Sequence, residues 1–448
     1  MRSMLAEVSH WRGAIALPVP PATGAAPARR RRAGNRAAIA LAAVGLLLVS
    51  ACASSGGSAT AKGSASAGAG FTGGEVRLAS SYPTSLLGAD EMLGIQAYFT
   101  YLNKTAGGVT MADGKKYKID FKYIDDGYNT GRAVSNVRSL LATFHPAAMV
   151  GLLGSANNEA TIGQLDAAKV PNIYSIEGDD FWQENIASHP MMGPTSQPSN
   201  NLWVASELAY VKKTWPGAKL AVLLQNDAYG QDIKKALTKD LAGTGLTIAD
   251  TEFYNTGTPT LSTQIAKLSN SGAKVFLDFS LAPALTQGIK YMQTIGWKVP
   301  HFVCYNCISQ TTVAPAGSAA DKLYAPLAFV DPTIPQWSNV PAIGSLRDII
   351  SKYGGSGSKT SLAGLQGAAI GELLASNLKA SQPNSQSLLS TVQSQQGNKM
   401  SLLVPGTAVV TSPKYPYLVN QLRMAQYASA SKTWKYVDSA FVDPTYSK

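Results

Sequence analysis

Between residues 75 and 330 the apolar positions switch repeatedly between two spacings. Short runs with consecutive or every-second apolar residues give way to stretches with apolar residues three and four apart, so strands alternate with helices. VRLASS (Val76–Ser81) predicts a strand, and a helix follows around Met92–Asn103. KIDFKYIDD (Lys118–Asp126) alternates apolar and polar residues, and TGRAVSNVRSLLATF then carries helical spacing. AAMVGLLG (Ala147–Gly154) is a continuous apolar run closed by glycine, the pattern of a strand buried on both faces. A helix near Glu159–Ala168 and the strand VPNIYSI (Val170–Ile176) come next. The second series runs helix Asn201–Lys213, strand Ala218–Asp227, helix Gln231–Leu241, strand Leu246–Tyr254 and helix Leu261–Ser271. It ends with strand Lys274–Ser280, helix Leu285–Gly296 and strand HFVCYN (His301–Asn306).

Such alternation requires crossover connections, hence an α/β fold with parallel sheets covered on both faces. The part beyond residue 75, about 370 residues, has the length of two domains. Two sheets in one chain leave a cleft between them, and ligands in open α/β sheets sit at the carboxyl ends of the strands.

The first 74 residues follow another logic. Arg29, Arg30, Arg31, Arg32 and Arg36 precede an apolar run from Ala37 to about Val49. That run is shorter than the roughly 20 residues of a membrane span and has the charged flank of a secretory signal. Val49-Ser50-Ala51-Cys52 resembles the lipobox of bacterial lipoproteins, which implies cleavage before Cys52 and lipidation of its thiol. Residues 1–51 are thus expected to be a signal peptide. The Ser/Gly/Ala stretch of 52–74 is expected to be a flexible tether, having too little apolar bulk to offset its ordering entropy. Residues 1–51 hold seven arginines and one glutamate, so the rest of the chain carries +5 where the whole carries +11. With no basic stripe interleaved with aromatics, nucleic acid is not an expected partner.

Enzyme motifs are missing. There is no P-loop, no G-x-S-x-G and no H-E-x-x-H, and Gly68-Ala69-Gly70-Phe71-Thr72-Gly73 matches a dinucleotide fingerprint in letters only, since it precedes its strand. Asp125-Asp126 and Asp179-Asp180 read as solvated loop acids. No catalytic residue, cofactor or metal is expected. Cys304 and Cys307 form a C-x-x-C pair, which outside the cytoplasm most simply makes a small-loop disulfide. A redox site or two thiols are the other readings.

AKLAVLLQNDAYGQDIKKALTKDL and LSTQIAKLSNSGAKVFLDFSLAPALTQGIKYMQTIGWKVP resemble the strand–loop–helix units of extracellular type I solute-binding proteins of the branched-chain amino acid (Leu/Ile/Val) transport class. YIDDGYNTGRAVSNVRSLL and GLLGSANNEATIGQLDAAKVPNI are similar to earlier segments of that family. The resemblance implies two Rossmann-like lobes joined by three crossovers, closing on a small solute and docking on an ABC permease. It implies a monomer at the outer face of the cell membrane, held there by the lipid on Cys52. The lobes are expected at 75–194 plus 327–405 and at 195–326 plus 406–448.

The same resemblance assigns a ligand set. Ser155, with Gly154 and Ala156 at a helix start, matches the serine that binds the ligand's carboxylate; a helix N-terminus suits an anion, though an ordinary capping serine is the alternative. Ile176, Glu177 and Gly178 match the second ligand loop. Tyr229 matches an aromatic reaching over the solute from the second lobe, or else packs on its own helix. Asn306 stands where amino-acid binders usually carry an acid for the ammonium, while Leu87 and Leu281 stand where tyrosine is usual. The pocket is therefore more aliphatic and less acidic than the family pattern, and Glu177 or Asp179 is the expected counter-charge. A non-amino-acid ligand (an aromatic acid, an amide or urea) and a sensing role are the alternatives.

Overall fold

The computed structural model describes residues 70–444 apart from 88, 306, 331–336 and 338. The segments expected to be a signal peptide and a tether, up to residue 69 and including Cys52, lie outside the described residues, as does Asn306. The sequence reading runs the tether through residue 74; the structure ends it earlier. Strand β1 (Phe71–Thr72) pairs antiparallel with the start of β2 (Glu75–Tyr82), and the Phe71 side chain is fully buried. Gly73 and Gly74 both take positive φ, 64° and 77°, as a two-residue turn between twisted strands demands. One aromatic in a small-residue tract thus anchors the first hairpin.

The first lobe then builds outward from β2. In chain order come α1 (Thr84–Leu87), α2 (Asp90–Thr105), β3 (Val109–Thr110), β4 (Lys116–Asp125), α3 (Thr130–Thr143), β5 (Ala148–Val150), α4 (Ser155–Ala168), β6 (Asn172–Ile173) and α5 (Phe181–Asn185). The described strands order as β3-β4-β2-β5-β6. Leu78 of β2 lies opposite Phe121 and Ala148 in parallel register. Central β2 is buried at every residue from Leu78 to Tyr82, whereas β4 buries Tyr117, Ile119 and Phe121 and exposes the residues between them. The alternation legible in KIDFKYIDD is the signature of that half-covered position.

Strand β7 (Thr195–Pro198) leads across to the second lobe. Ser199 caps α6 (Asn200–Thr214) by accepting from Leu202 N at 3.0 Å. The series continues with β8 (Lys219–Gln225), α7 (Ala228–Asp240), β9 (Thr247–Tyr254), α8 (Ser262–Ser269), β10 (Val275–Asp278), α9 (Ala284–Thr294), β11 (His301–Val303), α10 (Gln310–Val313) and β12 (Tyr324–Leu327). The chain then supplies α11 (Pro341–Tyr353), α12 (Leu362–Ala380), α13 (Ser385–Val392), β13 (Gln396–Asn398), β14 (Val409–Val410), β15 (Tyr417–Val419), β16 (Gln421–Ala428) and β17 (Thr433–Val442). The second sheet orders as β17-β16-β12-β11-β10-β8-β9 among the described strands. Its β8 to β12 pairings are parallel, while β16 closes antiparallel on β12. Strand β15 runs parallel to β7 beside the crossover, with Tyr417 opposite Thr195. No helix among the described residues is long and apolar enough to cross a membrane.

Helices α11 and α12 return to the first lobe and pack on α2. The contact of α2 with α12 is close because small residues meet there. A Cβ on Gly94 would lie 2.0 Å from the carbonyl oxygen of Gly364, and one on Gly367 would lie 1.9 Å from that of Glu91. Replacing a helix-interior glycine by alanine ordinarily gains about 1 kcal/mol. Here overpacking dominates, so Gly94→Ala is expected to lose about 1–3 kcal/mol or more. A shift of the urea midpoint to lower concentration checks this, and a shift upward would contradict the close crossing.

Candidate ligand-binding site

The carboxyl ends of the strands in both sheets open onto one cavity of about 740 Å³. From the first lobe Tyr82 ends β2, Leu153-Gly154-Ser155 follows β5, and Ile176-Glu177-Gly178 follows β6. From the second, Gln225 ends β8, Tyr254 ends β9, and Leu281 and Cys304 follow β10 and β11. Residues of α2 and α12 form another wall, and Leu86 and Leu87 stand exposed at its rim. This is where open α/β sheets bind ligands, because strand ends and helix starts leave backbone groups for a solute.

The lobes touch across this cavity. Tyr128, in the loop after β4, donates from its hydroxyl to Asp227 Oδ2 at 3.4 Å and accepts from Gln225 Nε2 at 3.3 Å. Burial, then the charge of Asp227, raises the Tyr128 phenol far above its ordinary value. Beside the crossover, Asp180 N donates to both oxygens of Asp232 at 3.3 Å, and Asn200 Nδ2 donates to Asp232 Oδ2 at 2.7 Å.

Acidic groups are concentrated here, and the charges of Lys235 and Lys239 offset only part of the rise at Asp180. Glu177 Oε2 accepts from Ser155 Oγ at 3.4 Å and from Asp179 N at 2.9 Å, while its Oε1 is buried with no hydrogen-bond partner. Burial, then the Asp179 charge, pushes this carboxyl well above the carboxylate range. Burial also raises Asp179 to about 6, and Asp180 and Asp232 to about 7, with the Asp232 charge adding to the rise at Asp180. Glu91, at the start of α2, rises to about 7 for the same reason, partly offset by the Tyr82 hydroxyl donating to its Oε2 at 3.2 Å. Among the described residues none of these five carboxyls makes a salt bridge. No group of three or more His, Cys, Asp or Glu among them is arranged to hold a metal.

The cavity brings together Leu87, Ser155, Ile176, Glu177, Gly178, Tyr229 and Leu281 of the sequence candidates. Ala156 is half-buried in the first turn of α4 and is not part of the lining, and Asn306 is not described. Ser155 spends its hydroxyl hydrogen on Glu177. Gly178 sits tight against the crossover, where a Cβ would lie 2.2 Å from the Pro198 carbonyl oxygen. Tyr229 donates to the Phe279 carbonyl at 3.2 Å and stacks on Trp203 with centroids 6.4 Å apart, so its hydroxyl is anchored in its own lobe.

The disulfide expected between Cys304 and Cys307 is not formed. Both are buried thiols in a turn closed by Cys307 N donating to Cys304 O at 2.9 Å, and Cys307 Sγ is directed to the Ser280 carbonyl at 3.8 Å. The acid pairs Asp125-Asp126 and Asp179-Asp180 are also not simply solvated. Asp126 accepts from Ser81 at 2.8 Å in a buried bond, and Asp179 and Asp180 are buried between the lobes. Sequence reasoning missed Tyr128, Glu91, Trp203 and Gln366. Only Tyr128 carried a local signal, the DDGY turn, where the tyrosine takes φ 58°.

A family model described as periplasmic binding protein matches residues 78–432. No curated protein sequence matches the chain. Among solved structures, a branched-chain amino acid ABC transporter from Thermus thermophilus with bound valine superposes with a TM-score of 0.71 at 16% identity, covering 83% of this chain and 98% of that one. A fatty acid ABC transporter substrate-binding protein from Thermomonospora curvata gives 0.69 at 16% identity over 85% and 95% of the two chains. A solute-binding protein of an ABC transporter from R. palustris in complex with 4-hydroxybenzoate gives 0.68 at 15%, over 83% and 99%. At these identities the likeness establishes the shared type I fold.

The raised carboxyls set a pH dependence. An unfolded chain titrates its acids near pH 4, while Asp179, Asp180, Asp232 and Glu91 titrate at about 6 to 7 when folded. The folded state binds more protons across that interval, so stability is greatest below it and falls as pH rises from about 4 to 8. The melting temperature without ligand is expected to drop by several degrees from pH 5 to pH 8, and Asp232→Asn is expected to flatten the slope. A melt that climbs over this range would contradict the assignment.

Proposed function

Because the chain belongs to the periplasmic binding protein family, we propose that it captures a small solute between its lobes and delivers it to an ABC permease, without transforming it. The solute is a hydrophobic or branched-chain amino acid. One observation carries this reading: Glu177, a buried acid with one oxygen unpartnered, lies beside Ser155 at the start of α4. The first N–H groups of a helix have no partner within it and favour an anion, so α4 receives the solute's carboxylate. Glu177 receives the ammonium, and Ile176, Leu153 and Leu281 contact the hydrocarbon. The Val49–Cys52 lipobox supports an anchor through Cys52, with the segment before Phe71 as the tether. The lobe limits follow the crossovers at β7, between β12 and α11, and at β15.

The aromatic side of the cavity favours a second reading. Trp203, Tyr229, Tyr254 and Tyr305 line it, and the R. palustris relative holds 4-hydroxybenzoate. An aromatic carboxylate would use the α4 N-terminus and leave Glu177 protonated.

Calorimetric titration separates the two. A hydrogen bond to a charged group contributes about 1.5–3 kcal/mol, so Glu177→Gln is expected to weaken leucine, isoleucine or valine binding by about ten- to hundredfold. Aromatic carboxylates would bind the variant as well as they bind wild type. Capture of an ammonium also draws the Glu177 proton off, so amino-acid affinity rises with pH and proton release appears in buffers of differing ionisation enthalpy. Leucine binding that ignores both the variant and pH would remove Glu177 from the site.

A further inference from the structure

The wall formed by α2 and α12 holds polar atoms for which the protein itself supplies no partner. Glu91 and Gln366 both line the cavity and are at least nine-tenths buried. Glu91 Oε2 is taken by the Tyr82 hydroxyl, but Oε1 has no hydrogen-bond partner, and neither has Gln366 Nε2. Leaving a buried donor or acceptor unmade is costly, and native interiors pair nearly all such groups. The tight α2–α12 packing at Gly94 and Gly367 keeps both side chains at this wall, because Gly367 follows Gln366 and touches the backbone of Glu91.

We propose that this wall is a second polar subsite, which recognises a neutral hydroxyl or carboxamide on the solute. It rests on the solute-capture reading above and narrows the substrate class. Such a group offers a hydrogen to Glu91 Oε1 and a lone pair to Gln366 Nε2 at once, the complement of what is missing. An all-hydrocarbon end supplies neither. A cationic end would meet Lys359, which lines the same wall and lies 3.8 Å from Asp90 Oδ1. A carboxylate end would face Glu91 and Asp90.

Near-isosteric pairs read this directly by calorimetry: threonine against valine, asparagine against leucine, and 4-hydroxybenzoate against benzoate. The polar member of at least one pair is expected to bind wild type about tenfold or more tightly than its apolar match. Gln366→Leu is expected to erase that preference while leaving the apolar member's affinity equal or improved, and Glu91→Gln to reduce it. The ligand-free melt of each variant checks folding, and either variant alone suffices if the other fails to fold. If the four amino acids leave wild type unbound, the amino-acid reading falls, and the benzoate pair alone judges the subsite. Tighter binding of the apolar member in every pair that binds, binding of no pair at all, or an equal loss for both members on substitution would overturn the subsite.

Discussion

Desolvated carboxyl groups that make no salt bridge among the described residues are the constraint around which the cleft is organised. Glu91, Glu177, Asp179, Asp180 and Asp232 are each less than a tenth exposed. A charged carboxylate in such surroundings is costly, so the groups respond by holding protons. Backbone donors compensate part of the cost: Asp179 N serves Glu177, Phe181 N serves Asp179 and Asp180 N serves Asp232. The last of these links crosses from the first lobe to the second. The same short segment, Glu177 to Asp180, therefore lines the cavity through Glu177 and Gly178, carries three of these acids and joins the lobes.

That arrangement gives closure a physical meaning. In the structure the lobes meet through Tyr128 on Asp227 and through Asp180 on Asp232, both at helix starts beside the cavity. The Lys235–Glu184 ion pair joins α7 to α5 as well. A solute held by Glu177 in the first lobe that also touches Tyr229 or Leu281 of the second adds interaction to the closed form, and a ligand shifts an equilibrium by its differential affinity for the two states. Trp203, Phe279 and Tyr305, packed with centroids 4.9 Å apart in each pairing with Trp203, form an aromatic floor in the second lobe.

Much of this was legible in the chain because period and spacing are local. The alternation of AAMVGLLG with SANNEATIGQLDAA placed a strand, a loop and a helix in order, and Ser155 and Glu177, which the resemblance singled out, do line the cavity. What escaped is non-local. Helix α12, LAGLQGAAIGELLASNLKA, reads as an apolar helix, and nothing in it says that Gln366 faces a cavity built mainly from residues over 60 positions away. Glu91 precedes the helix the spacing predicts, and its burial follows only from α12 packing against it. The Asp179-Asp180 pair reads as solvated for the same reason, since Asp232 and Tyr417 come from other parts of the chain. The C-x-x-C spacing permits a disulfide, but the Ser280 carbonyl draws the Cys307 sulfur elsewhere. Phe71 was lost in the small residues that precede it.

Small-angle X-ray scattering of the protein, alone and then saturated in turn with leucine, valine and 4-hydroxybenzoate, tests the central claim that the lobes close on a solute. Closure predicts a smaller radius of gyration and a shorter maximum dimension with whichever of these binds by calorimetry. A bound ligand that leaves both unchanged from the ligand-free protein would mean that the cleft does not close upon capture, contradicting the account.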